Sequence, residues 1–224
     1  MSQFNALSRS NTVPGVLNRL RKDIILSEYK DGQKVSELSL SAKYNCSRTT
    51  VRTSLFALEK EGFITTEQNG TKTVQAITLE DIENLYDLRE YIELTAISRI
   101  FRVKNKDIGP VIDILQSVMN SHNMEVEEIL ELDAEFHQRV LRASGNKAIM
   151  QSWENISGVL QAIFSLNMTF SEEYKTNFLS SFRENHIELF SSFMKTEKEC
   201  TDLFRAHILD ARNISLQALG NLSK

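Results

Sequence analysis

Apolar residues recur at intervals of three and four along most of this chain, which is the spacing of one helical face. Val16, Leu17, Leu20, Ile24 and Ile25 mark such a face within residues 12–28, and Asp31-Gly32 ends it in a turn. Ser36 is a good N-cap for a second helix reaching about Tyr44. Asn45-Cys46 turns the chain, Ser47 caps a third helix through about Lys60, and Gly62 closes it. On that third helix Val51, Leu55 and Leu58 face a core, so Arg48, Thr49, Arg52 and Thr53 fall on the solvent side near its start. The pattern then changes. Residues 63–66 and 71–74 read as two short strands around Gln68-Asn69-Gly70, because Asn-Gly readily takes the positive φ of a tight hairpin.

Beyond residue 78 strand signals vanish. Thr78 with Asp81 looks like a helix start, followed by a stripe of Leu85, Leu88, Ile92 and Ala96. Further helical stretches are expected at 108–121, 125–143, 147–166, 174–194 and 197–219, with Pro110 near a helix start and Ser144-Gly145-Asn146 as a break. The expected fold is mostly α: a winged helix-turn-helix of three helices plus a β-hairpin, then an all-α bundle of six or seven helices. The expected division is a flexible tail at 1–11, the winged unit at 12–77 and the bundle at 78–224.

Composition narrows the classes. The chain has 224 residues, enough for two modest domains, with only 2 Pro and 8 Gly. No apolar run reaches the ~18 residues that a membrane span needs. The opening MSQFNALSRSNTVPG lacks the apolar core of a secretory signal. Cys46 and Cys200 make no CxxC, which fits a reducing cytoplasm; Cys46 reads as a small core residue rather than a redox sensor. The net charge of −4 is unevenly spread: residues 1–75 hold 11 Lys and Arg against 7 Asp and Glu, and the remainder 15 against 23. A basic head on an acidic body suggests that only the head meets a polyanion; ordinary surface scatter is the bland alternative.

The third helix carries the first candidate chemistry. Arg pairs bidentately with guanine O6 and N7, Thr reaches phosphate or a thymine methyl, and a helix N-terminus favours phosphate. A recognition helix in a major groove presents such groups near its start. The hairpin tip would bring Asn69, Gly70 and Lys72 to the same duplex. The alternative is a solvated polar face. The second candidate lies in the bundle. Asp133 and His137, four apart, share a helical face, and His186 and His207 sit on later helices. Together they form a donor set for a divalent cation, with nitrogen favouring Zn, Ni, Cu, Fe or Co over Mg. Alternatively each histidine is a surface or hydrogen-bonded core residue. His122 reads as a loop residue outside this set.

The same residues carry a resemblance. Leu20-Arg21, Ile24, Gly32, Val35-Ser36-Glu37, Leu40, Ser47-Arg48-Thr49-Thr50-Val51-Arg52, Leu55 and Leu58-Glu59-Lys60-Glu61-Gly62-Phe63-Ile64 resemble the winged helix of GntR-type regulators over about 60 residues. Leu85-Tyr86-Asp87-Leu88-Arg89 with Ile92-Glu93, Leu132-Asp133-Ala134-Glu135-Phe136-His137, Ala143-Ser144-Gly145-Asn146, Glu184-Asn185-His186 and Phe204-Arg205-Ala206-His207 resemble the FCD-type effector domain of its FadR branch. The resemblance implies a DNA-binding transcriptional regulator, a repressor in its first reading, and not an enzyme. It makes Arg48 and Arg52 the main DNA contacts, with Ser47, Thr49 and Thr50 beside them and Asn69, Gly70 and Lys72 at the wing. It implies a divalent metal, zinc or nickel first, on Asp133, His137, His186 and His207. Arg89 becomes a pocket group for a small carboxylate effector; a plain ion pair with Glu93 is the other reading. The implied assembly is a cytoplasmic homodimer on a palindromic duplex operator, with the bundle serving both effector binding and dimerisation. A metal-dependent enzyme, a metal-free acyl-CoA sensor and a purely structural metal are the rivals.

There are departures from the family pattern. Leu38 stands where fatty-acid-responsive members have a DNA-contacting arginine, Thr53-Ser54 replaces Glu-Ala, and Cys46 replaces a common valine, so the operator sequence does not carry over. The interval from His186 to His207 is one residue short, a loss placed near Thr196-Glu197.

Overall fold

The computed structural model describes residues 10–103, 107–121, 124–170 and 172–222. His122 and most of the expected N-terminal tail lie outside them. The chain divides into two compact units. One holds the residues up to Thr78 together with Gly158–Leu166, and the other holds Leu79–Ser157 and Asn167–Lys224.

In the first unit the order is α1 (Val13–Ile25), β1 (Lys34–Val35), α2 (Glu37–Tyr44), α3 (Arg48–Lys60), β2 (Ile64–Thr66) and β3 (Lys72–Val74). Local chemistry sets the helix starts. Ser36 Oγ accepts from the Ser39 N–H at 3.1 Å, and Ser47 Oγ from the Thr50 N–H at 3.0 Å, each satisfying a donor that a helix start leaves open. Asn45 takes the left-handed conformation between α2 and α3 (φ 49°), and Gly62 does so after α3 (φ 84°). Val16, Leu20, Ile24, Leu40, Val51, Leu55 and Leu58 close the core, none more than 2% exposed. The hairpin pairs Ile64 with Val74 and Thr66 with Lys72, and β1 adds to it through Lys34 opposite Thr73. That third strand, giving the order β1-β3-β2, was absent from the sequence reading. Two residues carry too little periodicity to show a strand. Cys46 is half-buried rather than a core residue.

The second unit is helical: α4 (Leu79–Arg102), α5 (Gly109–Met119), α6 (Val126–Ala143), α7 (Lys147–Phe170, except Gly158–Leu166, which belongs to the first unit), α8 (Glu172–Ser192) and α9 (Glu197–Leu222). Gly145 (φ 64°) breaks the chain between α6 and α7. Among the described residues α4 packs along α6 and α9, and α5 against α6 and α8. Ile97, Ile100, Val111, Ile114, Phe136, Val140, Phe182, Phe193 and Phe204 fill the space between them. The buried seam of α4 differs from the expected stripe. Ile82, Tyr86, Arg89, Ile92, Glu93, Ala96, Ile97 and Ile100 point inward, whereas Leu88 is 41% exposed. A hydropathy pattern scores Arg89 and Glu93 as polar and so rotates the seam away from them. In the fold they neutralise one another inside it.

Candidate functional site

Two sites emerge. On the first unit, α3 presents Arg48, Thr49, Arg52 and Thr53 to solvent, with the side chains of Arg48 and Arg52 63% and 65% exposed. An open concavity of about 650 Å³ brings Arg48 and Arg52 together with Asn69, Gly70 and Lys72 of the hairpin and with Lys34, Glu37 and Leu38. Not all of these side chains are uncommitted. Ser47 and Thr50 face each other through their hydroxyls at 2.8 Å as part of the helix cap. Asn69 Oδ1 accepts from the Thr71 N–H at 2.8 Å and so shapes the hairpin tip, where Gly70 supplies the positive φ. Lys72 Nζ reaches Thr66 Oγ1 at 2.6 Å and Glu59 Oε2 at 3.3 Å.

Glu37, at the first turn of α2, has a role that the sequence pattern does not signal. Its carboxylate accepts from Arg52 Nε at 2.7 Å and from Arg52 Nη2 at 2.9 Å, and lies 3.6 Å from Arg48 Nη2. The hydrogen bond from Arg52 holds the Glu37 pKa below its ordinary value. Fifteen positions separate Glu37 and Arg52 in sequence, so no helical periodicity links them; only the turn between α2 and α3 does.

In the second unit Asp133 and His137 on α6, His186 on α8 and His207 on α9 converge. One donor atom from each lies within 4.8 Å of all the others. Asp133, His137 and His186 are buried and His207 half-buried. His186 Nδ1 lies 2.8 Å from the Phe182 carbonyl oxygen, which holds the ring proton there. Its Nε2 then faces Asp133 Oδ1 at 3.1 Å, and neither atom has a hydrogen-bond partner. Either a proton on Nε2, making an imidazolium–carboxylate pair, or a bound cation can join these two buried atoms. The donor set fits a divalent metal. Burial pushes the His207 pKa well down, so its nitrogens stay available as neutral donors. Burial works against the Asp133 carboxylate, but His186, His137 and Arg89 hold its pKa far below the usual range.

Arg89 is buried beside this cluster, and its guanidinium is already engaged. Nε donates to Glu93 Oε1 at 2.7 Å and Nη2 meets His137 Nε2 at 3.1 Å. Of the two readings of Arg89 the structure shows the ion pair with Glu93, in the core rather than at the surface. Glu93 is 0% exposed and also takes His137 Nδ1 at 2.7 Å. Burial would raise its pKa; His137 and Arg89 draw it down to about 2.

Comparison with known proteins follows the same division. Residues 13–74 match the family described as bacterial regulatory proteins of the gntR family, and residues 84–208 match the FCD domain. The gluconate operon transcriptional repressor of Bacillus subtilis is 26% identical over 196 residues, covering 85% of this chain and 79% of that one. The Nta operon transcriptional regulator of Aminobacter aminovorans is 28% identical over 182 residues, covering 80% and 83%. Among solved structures, Escherichia coli McbR/YncC has a TM-score of 0.64 at 16% identity, covering 92% of this chain and 97% of that one. Lar, which controls expression of the Listeria monocytogenes agr system, has a TM-score of 0.60 at 15% identity, with 92% of both chains covered.

Proposed function

The chain belongs to the GntR family of bacterial regulatory proteins and carries an FCD domain, and from that premise we propose that it is a dimeric, cytoplasmic repressor whose operator affinity is set by a small carboxylate held at a divalent-metal centre in the helical bundle. Membership makes it a DNA-binding transcriptional regulator rather than an enzyme. Among the described residues no helix is long and apolar enough to cross a membrane.

Arg48 and Arg52 act as base and phosphate contacts of α3, with Ser47, Thr49 and Thr50 along the same helix start and Asn69, Gly70 and Lys72 beside them. Two such helices, one per subunit, suit a palindromic site with half-sites about 34–36 Å apart. Glu37 keeps Arg52 extended in the free protein and gives it up to a guanine edge or a phosphate.

The metal and effector reading is carried by one observation: Asp133 Oδ1 and His186 Nε2 are buried, 3.1 Å apart and without partners, within a four-donor cluster. Asp133, His137, His186 and His207 would hold the cation, with zinc or nickel suited to three imidazoles. A metal held there would supply a Lewis-acidic centre suited to a carboxylate ligand. Arg89 supplies positive charge from the side of Glu93. One relative represses a gluconate operon, and gluconate is a small carboxylate. Ligand binding at the bundle shifts DNA affinity by coupling of about 1–3 kcal/mol, roughly 5- to 150-fold.

Native mass spectrometry of the freshly purified chain, with operator gel shifts before and after chelation, tests this reading. A dimer with one metal per subunit is expected, together with loss of metal in His186→Ala/His207→Ala. Metal retained in that double variant would reject the site, and a copurified acyl-CoA on a metal-free chain would replace it with the rival sensor.

A further inference from the structure

We propose that Glu93 is the positioning residue of the four-donor cluster: its carboxylate fixes the ring proton of His137 on Nδ1, so that Nε2 is the nitrogen offered to a cation. The inference rests on the reading of that cluster as a metal site, and it concerns a residue outside the donor set.

The hydrogen-bond roles leave one self-consistent arrangement. A carboxylate only accepts and a guanidinium only donates. Glu93 Oε2 lies 2.7 Å from His137 Nδ1, so Nδ1 carries the proton. Arg89 Nη2 lies 3.1 Å from His137 Nε2, so Nε2 accepts. Arg89 Nε donates to Glu93 Oε1 at 2.7 Å, which closes the ring of three side chains. Glu93 and Arg89 are one turn apart on α4, and His137 is on α6, so the ring also fixes the imidazole plane between two helices. His186 is held in the same sense by the Phe182 carbonyl oxygen at 2.8 Å. Two donors of the cluster therefore share one device, a proton fixed on Nδ1, with Glu93 serving His137 as the backbone serves His186. A partner of this kind orients a metal-binding imidazole and raises its basicity.

Stability alone does not explain Glu93. The side chains of Glu93 and Arg89 are 0% and 4% exposed, and replacing a buried ion pair by an apolar pair of similar volume is often neutral for stability. What such a pair could not do is dictate which nitrogen of His137 holds the proton. In the structure that lone pair accepts from Arg89 Nη2, so a cation on Nε2 takes the place of this hydrogen bond.

The test uses the full chain and Zn²⁺ alone, titrated against a competing chelator, with long-range ¹H–¹⁵N spectra of the histidine rings and thermal melts alongside. In Glu93→Gln the guanidinium, which can only donate, takes the amide oxygen. The amide NH₂ then faces His137 Nδ1, so neither tautomer suits both neighbours: Nδ1–H meets the amide NH₂, and Nε2–H meets the Arg89 guanidinium. Zinc affinity should fall roughly 10- to 100-fold, and the His137 signals should lose the single Nδ1–H tautomer of the wild type. In Arg89→Met/Glu93→Gln the amide oxygen is free to accept from Nδ1–H, so the original tautomer and most of the zinc affinity should return. A merely structural role would make the double variant no better than the single one. Wild-type affinity with an unchanged tautomer in Glu93→Gln overturns the proposal. If that variant does not fold, a folded double variant that fails to recover zinc overturns it equally. A wild-type chain that takes no zinc ends the metal reading by itself, and the tautomer signals still decide whether Glu93 sets His137.

Discussion

Arg52 meets Glu37 and Arg89 meets Glu93 at the same 2.7 Å between Nε and a carboxylate oxygen, yet the side chain of Arg52 is 65% exposed and that of Arg89 is 4% exposed. Water makes the difference. Around Arg52 both ions stay hydrated and screened within about 8 Å at physiological salt, so the pair opens without leaving a desolvated charge. Around Arg89 no water waits to replace Glu93. Losing either partner strands the other in the core. The exposed pair can therefore be exchanged for a phosphate or a base, while the buried pair is architecture that holds His137 in place. Identical chemistry serves a reversible contact in one unit and a fixed scaffold in the other.

This contrast can be broken by measurement. Arg89→Met should lower unfolding free energy by about 3–5 kcal/mol, read in urea, because Glu93 loses its guanidinium in the core. An unchanged midpoint would place Arg89 in the same class as Arg52. Arg52→Ala should reduce operator affinity by roughly 5- to 150-fold, the loss of one bidentate base contact. Its urea midpoint should stay that of the wild type; destabilisation with intact DNA binding would invert the comparison. Ser47→Ala removes the oxygen that accepts from the Thr50 N–H and should cost about 1 kcal/mol, with a matching loss of helix signal at the start of α3. Glu37→Gln should have the smallest effect. Binding to non-specific duplex should rise a few-fold in low salt and return to the wild-type value in high salt, since one negative charge leaves the phosphate-facing side. A salt series with no change would show that Glu37 does not restrain the arginines.

Much of this molecule could be read along the chain. The three helices of the first unit, the Ser36 and Ser47 caps, the Asn69-Gly70 turn and the outward set of Arg48 and Arg52 all follow from spacings of two to four residues, where local sterics and capping act. The helices of the second unit follow likewise from periodicity, although the inward seam of α4 does not. Leu88 lies outward and Arg89 inward, against their hydropathy, because hydropathy counts a charge and cannot see its partner. Resemblance, not spacing, pointed to the convergence of Asp133, His137, His186 and His207.

What the amino-acid order determined by itself was the set of elements and the exposed face of α3, because those depend on neighbours within one or two turns. What only the three-dimensional packing decided was which side chains meet across 15, 44 or more positions: Glu37 on Arg52, Glu93 on His137, Asp133 against His186. Such meetings depend on how helices cross. Helix crossing is settled by the fit of the whole buried surface and not by any one stretch of sequence.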